Sequence, residues 1–168
     1  VATLPAPYST ELQNVLREQA SDFCDVQGGA TRTPGFWQTH LAYACHIFED
    51  HLGGTAYLGW KTVTSCEEMM GAFWAATAKE SDNTKRDTLC QRKTIATFQL
   101  MAAILNNALD NGAALPIDPH SGLDIITAMQ NALAGTDGQE INFLKNILDA
   151  YNNSGDDVAI IDNDGFQH

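Results

Sequence analysis

Three of the five histidines fall within one stretch, His40, His46 and His51, with acidic side chains nearby at Glu49, Asp50, Glu67 and Glu68. Imidazole nitrogens and carboxylate oxygens together are donors that divalent transition metals accept. On a regular helix advancing about 100° per residue, His40 and His51 share a face but lie ~16 Å apart along the axis, while His46 points well away from His40. The three histidines therefore cannot chelate one ion together within a single helix. A site shared between helices, using His40 or His46 with one of those carboxylates, is the arrangement the spacing leaves open. A second acidic pattern, Asp162-Asn163-Asp164-Gly165, resembles the opening of a calcium loop, but no distant bidentate Glu follows it within the 168 residues. His40, His46, Asp162 and Asp164 are thus the candidate metal ligands. No cofactor is predicted beyond a divalent cation such as calcium.

Four cysteines, Cys24, Cys45, Cys66 and Cys90, form no CxxC pair, which argues against zinc-ribbon, thioredoxin-like and attached-haem chemistry. An even count favours two disulfides. Of the three ways to pair them, Cys24–Cys90 with Cys45–Cys66 is preferred, because the second bridge would tie the end of one helix to the start of the next. Two bridges place the chain in an oxidising compartment. No GxSxG, HExxH or Cys–His protease context appears. Ser65, Ser121 and Asp137 read as helix caps, so no catalytic residue and no enzymatic activity are predicted.

The elements that must carry these residues are helical. Prolines extend an N-terminal arm over residues 1–8, and Ser9 or Thr10 can cap a first helix with Leu12, Val15, Leu16 and Phe23. Thr33 as N-cap and Pro34 in the first turn start a second, running to about His51 and stopped by Gly53-Gly54. Residues 55–64 are aromatic and β-branched, a packed loop or brief strand. Ser65-x-x-Glu68 forms a capping box for a helix fading at Lys79-Glu80, and the polar SDNTKRDT segment reads as an exposed loop. From Leu89 to about Asn111 the apolar stripe widens almost all the way round, which predicts a central helix. Two more start at Ser121 and Asp137. The fold class is therefore all-α, a single compact bundle of about six helices over residues 9–153 with two disulfides. In the tail, residues 154–168, the run Val158-Ala159-Ile160-Ile161 either closes a short hairpin with residues 55–64 or stands as an edge strand.

The segment Thr33-Pro34-Gly35-Phe36-Trp37-Gln38-Thr39-His40 resembles the Gly-Tyr-Trp-Lys-Asn-His signature of a domain of uncharacterised function in secreted and cell-surface bacterial proteins. The similarity continues through Gly53 to Tyr57, Gln99 to Gly112 (QLMAAILNNALDNG) and Leu148 to Asn153 (LDAYNN), in the same order, over roughly residues 24–155. Phe36 stands where that signature has Tyr, and Gln38-Thr39 where it has Lys-Asn. The resemblance implies an exported helical module and supplies no reaction. Phe36, Trp37 and His40 fall within about one turn of the Pro34 start, where aromatic rings can wedge the helix entrance against its neighbours; alternatively Trp37 and His40 line a pocket.

A net charge of −12 would repel phosphate backbones and anionic surfaces, so nucleic acid is excluded as a partner. No apolar run reaches the ~20 residues of a membrane span. Beginning at Val1, the sequence reads as a mature product from which a signal peptide has been removed. The leading expectation is a non-enzymatic extracellular structural or interaction protein, a cell-surface module or a self-assembling, even filament-forming, subunit. Its partners would be its own copies or other surface proteins. Val158, Ile160 and Ile161, with the N-terminal arm, are the candidate assembly contacts. The alternative is a periplasmic or extracellular metal- or ligand-binding protein using Trp37, His40 and nearby carboxylates. Asn152-Asn153-Ser154 also fits the N-glycosylation sequon.

Overall fold

The computed structural model describes residues 29–164 and 166. The N-terminal arm, the first predicted helix and Cys24 lie outside the described residues. The helix start at Thr33-Pro34 is present: the Thr33 side chain accepts from the Phe36 amide at 3.3 Å and opens α1 (Pro34–Thr39). The single helix expected to reach His51 is instead three pieces. His40, at φ −114° and ψ 60°, breaks the helix, α2 (Leu41–His46) restarts it, and a π-helix (Ile47–His51) continues directly from α2. Gly53 and Gly54 stop it with positive φ, as a helix end requires.

Residues 55–64 form their own hairpin, β1 (Ala56–Tyr57) antiparallel to β2 (Thr62–Val63), with Ala56 opposite Val63. The tail does not join this two-stranded sheet. Ser65 accepts from the Glu68 amide and opens α3 (Cys66–Trp74), which ends short of Lys79-Glu80 because Ala75 turns extended. Asp87 caps α4 (Thr88–Asn107). Asp124, not Ser121, caps α5 (Ile125–Leu133); the Ser121 hydroxyl is spent on Asp118 at 2.6 Å in the preceding turn. Asp137 caps α6 (Gly138–Asn153) as predicted. The structure is thus mostly helical, with six α-helices among the described residues.

Helix α4 is central. From Leu100 to Leu105 no residue is more than 8% exposed, and the helix packs along α6 and against α3 and α5. The hairpin is pressed onto α5 at Gly59, where a Cβ would sit 2.2 Å from the Gln130 carbonyl oxygen and φ is +85°; only glycine fits both. Through the core runs a polar network. Asn106 Oδ1 accepts from the Arg32 amide (2.7 Å) and from Trp37 Nε1 (3.1 Å), while its Nδ2 donates to the Arg32 carbonyl (2.8 Å) and Asn152 Oδ1 (2.9 Å). Asn152 Nδ2 in turn donates to both the carbonyl and Oε1 of Gln99. Trp37, Asn106 and Asn152 are all 0% exposed, and every hydrogen-bonding position of the Asn106 side chain is filled.

Among the described residues one disulfide forms rather than two: Cys45–Cys66, with Cα atoms 5.4 Å apart, ties the end of α2 to the start of α3. Cys90, in the first turn of α4, has no disulfide partner among them. No helix of the described residues is long and apolar enough to cross a membrane.

Candidate metal centre

At the end of α2 the backbone widens, and the Leu52 amide bonds the Ile47 carbonyl, five residues back, at 3.2 Å. A regular helix would set residues five apart about 140° from each other. The wider π-turn, with its i→i+5 ladder, brings them toward one face. His46 and His51 meet there, ring centroids 5.5 Å apart.

Each ring has its outer nitrogen engaged. His46 Nδ1 lies 2.8 Å from Asp50 Oδ2, and His51 Nδ1 lies 2.7 Å from the Ala108 carbonyl oxygen. That arrangement fixes ring orientation and turns Nε2 toward the remaining space, as in metal-ligating histidines. Both Nε2 atoms converge on the tail. Asp164 Oδ2 is 2.7 Å from His46 Nε2 and 3.0 Å from His51 Nε2, and Asp162 Oδ2 is 3.8 Å from His46 Nε2. All four donor atoms lie within 4.8 Å of one another. An ion held tetrahedrally at ~2.0–2.1 Å from each donor has donor-to-donor edges of about 3.3 Å, which these distances straddle.

The His46 side chain is 10% exposed and that of Asp162 5%. Despite the short approach of Asp164, its direction does not make a hydrogen bond to His46. Among the described residues neither His46 Nε2 nor Asp162 Oδ2 has a hydrogen-bond partner. Both atoms face carboxylate or imidazole charge without a hydrogen bond of their own, and one cation would be a partner to both. Burial pushes the Asp162 carboxyl up, with Asp164 adding to the effect. Asp164 is driven well below the usual carboxylate range, first by hydrogen bonding to Asp162 and then by His51. At His51, burial opposes the charged ring, but the Ala108 carbonyl and Asp164 outweigh it and the ring is raised. Burial, then Asp162 and Asp164, raise the Tyr43 phenol beside them. These shifts describe titratable groups that are partly buried and closely coupled to one another. The Phe166 ring stacks on His46 at 4.3 Å and roofs the site.

Three of the four sequence-predicted ligands, His46, Asp162 and Asp164, are brought together; His40 is not. Its ring is exposed, stacked on Phe36 at 3.9 Å, with Nδ1 2.7 Å from the Phe36 carbonyl. Of the nearby carboxylates, Asp50 supports His46, whereas Glu49 is exposed and Glu68 serves the cap of α3. His51 is the candidate ligand that sequence reasoning missed, because on a regular helix the three histidines could not chelate one ion together and only His40 and His46 were carried forward. The i, i+5 spacing just before Gly53-Gly54 was the only signal. Pro34, Gly35, Phe36 and Trp37 form the helix start described above, and Trp37 is 0% exposed while His40 lies at the surface.

Val158, Ile160 and Ile161 lie along the body of the protein, Val158 and Ile160 packed on the core. Asn152 is buried, so the folded chain does not offer its sequon for glycosylation. In a second cluster, Asp118, His120 and Glu140, only His120 is exposed, and the group is already paired: buried Asp118 accepts from Ser121 and the His120 amide, and His120 Nδ1 lies 3.0 Å from Glu140 Oε2. Between the hairpin, α3 and α4 lies an open groove of about 400 Å³, lined by Leu58, Trp60, Val63 and Ala72 with Cys90 among its walls. Burial and then Asp87 push the Cys90 thiol up, which disfavours a reactive thiolate. Comparison of the chain with family models, curated proteins and solved structures returns no match.

Proposed function

We propose that this is an exported, non-enzymatic protein that binds one divalent transition-metal ion of the zinc class through His46, His51, Asp162 and Asp164. The observation that carries the reading is the convergence of two oriented imidazole Nε2 atoms on two carboxylates, with a buried nitrogen and a buried oxygen there lacking hydrogen bonds. Two ring nitrogens favour a borderline cation over calcium, which takes oxygen donors. Four protein ligands fill a tetrahedral shell, and that suits a structural ion better than a hydrolytic one, which keeps a position open for water. The Cys45–Cys66 disulfide supports an oxidising compartment.

Elemental analysis of protein purified without added metal, followed by zinc titration, tests this. One ion per chain is expected. His51→Ala should abolish stoichiometric binding, Asp50→Ala should weaken it about 10–100-fold, and His40→Ala should leave it intact. Stoichiometric zinc retained in His51→Ala would sink the proposal.

A second reading, a cell-surface module or self-assembling subunit, is favoured by the shallow apolar dish beside the disulfide. Leu41 is 57% and Trp74 65% exposed there, next to Met70. Sedimentation of the wild type against Trp74→Ser tests it; a strictly monomeric wild type at high concentration counts against it.

A further inference from the structure

The ligands come from two distant parts of the chain, with His51 and Asp164 separated by 113 positions. The body supplies the histidines and the tail supplies both aspartates. From Gly155 to Asp164 the tail forms no helix or strand, and side chains hold it by its backbone. Arg32 Nη1 donates to the Val158 carbonyl at 2.9 Å and the Gly155 carbonyl at 3.3 Å. Asn111 acts as a neighbouring strand would, donating to the Ala159 carbonyl (2.8 Å) and accepting from the Ile161 amide (2.9 Å). Asp110 accepts from the Asn163 amide at 2.9 Å.

Docking therefore carries Asp162 and Asp164 toward two body carboxylates, Asp110 and Asp50, with two imidazoles to face all four. Even with both imidazoles charged, four carboxylates leave a surplus of negative charge there, in a chain of net charge −12, that a cation would offset. With a divalent ion the same four groups attract one centre. We infer that the ion is a latch: its binding and the docking of residues 155–164 are one coupled equilibrium, so that loss of the ion frees the tail and uncovers Val158 and Ile160. This rests on the zinc reading above. The released segment is the β-branched run that otherwise packs on its own chain.

Coupling of this kind is reciprocal, so it can be read from either side. Hydrogen exchange of the full chain, chelated and then given zinc at ten times its dissociation constant, should slow at tail amides such as Ile161 and Asn163 by about tenfold, while α4 amides stay unchanged. Asn111→Ala, which removes two tail contacts and touches no ligand, should weaken zinc binding by about tenfold if the tail is largely undocked without the ion. Should that variant fail to fold, the exchange experiment on the wild type stands alone. Zinc bound by the wild type with no change in tail exchange would overturn the latch and leave the metal reading in place. Absence of zinc binding would overturn both.

Discussion

Replacing Asn106 by Leu is expected to be among the most damaging single changes available outside the metal centre. The side chain makes four hydrogen bonds at a position that is 0% exposed, to the Arg32 amide, the Arg32 carbonyl, Trp37 Nε1 and Asn152 Oδ1. Leucine is near in size but leaves all four partners without their bond, two of them, Trp37 Nε1 and Asn152 Oδ1, fully buried and two on half-buried Arg32. Each buried orphaned group costs about 1–3 kcal/mol, so the two buried partners alone cost at least about 2 kcal/mol, before any contribution from Arg32 or strain at α1. Against a typical domain stability of about 5–15 kcal/mol, that is a large share of the total. Urea unfolding followed by far-ultraviolet circular dichroism, which does not depend on the Trp37 environment, measures it. Trp37→Phe, which removes one of the four bonds, should cost less in hydrogen bonding and leave zinc binding unchanged. An Asn106→Leu protein within about 1 kcal/mol of the wild type would refute the view that this network holds α1, α4 and α6 together.

Other expectations follow from single features. The Cys45–Cys66 bridge spans 21 positions, so converting both to Ser should cost about 3 kcal/mol, read as a lower unfolding midpoint, while the metal ligands remain. The Tyr151 phenol donates to the Ala113 carbonyl at 2.9 Å, and burial pushes it up to about 12 from an ordinary value of 10.0. The unfolded chain therefore loses this proton first; the associated stability is whole below pH 10 and is lost as pH rises toward 12. A Tyr151→Phe variant should lack that part of the alkaline decline in a stability profile, and an unchanged profile would show that Tyr151 plays no part in it.

Much of the architecture was legible because it depends on local chemistry. Thr33-Pro34, Ser65-x-x-Glu68 and Asp137 each mark a helix start through side-chain bonds spanning three or four residues, and all three are present. The apolar girdle from Leu100 to Leu105 could only be central. Local rules failed where equivalent signals compete: Ser121 looked like a cap, but Asp124 lies three residues before the Thr127 amide it accepts from, and Asp118 takes the serine hydroxyl. They failed again at His40, where the chain bends and Thr33 to His51 becomes three helical pieces.

The sequence by itself determined a disulfide-bearing, mostly helical, acidic protein with Trp37 in a helix entrance, because composition, capping and periodicity are properties of neighbouring residues. Trp37, Gln99, Asn106 and Asn152 could be read as residue types, but their meeting in one buried network could not. The tertiary structure alone brought the four candidate metal ligands together. A π-turn rotates His51 onto the face of His46, and Arg32 and Asn111 lay the tail across the body so that Asp162 and Asp164 arrive from the far end of the chain. Neither event has a local signature: one is a change of helical pitch within a single turn, and the other depends on contacts between residues far apart in sequence.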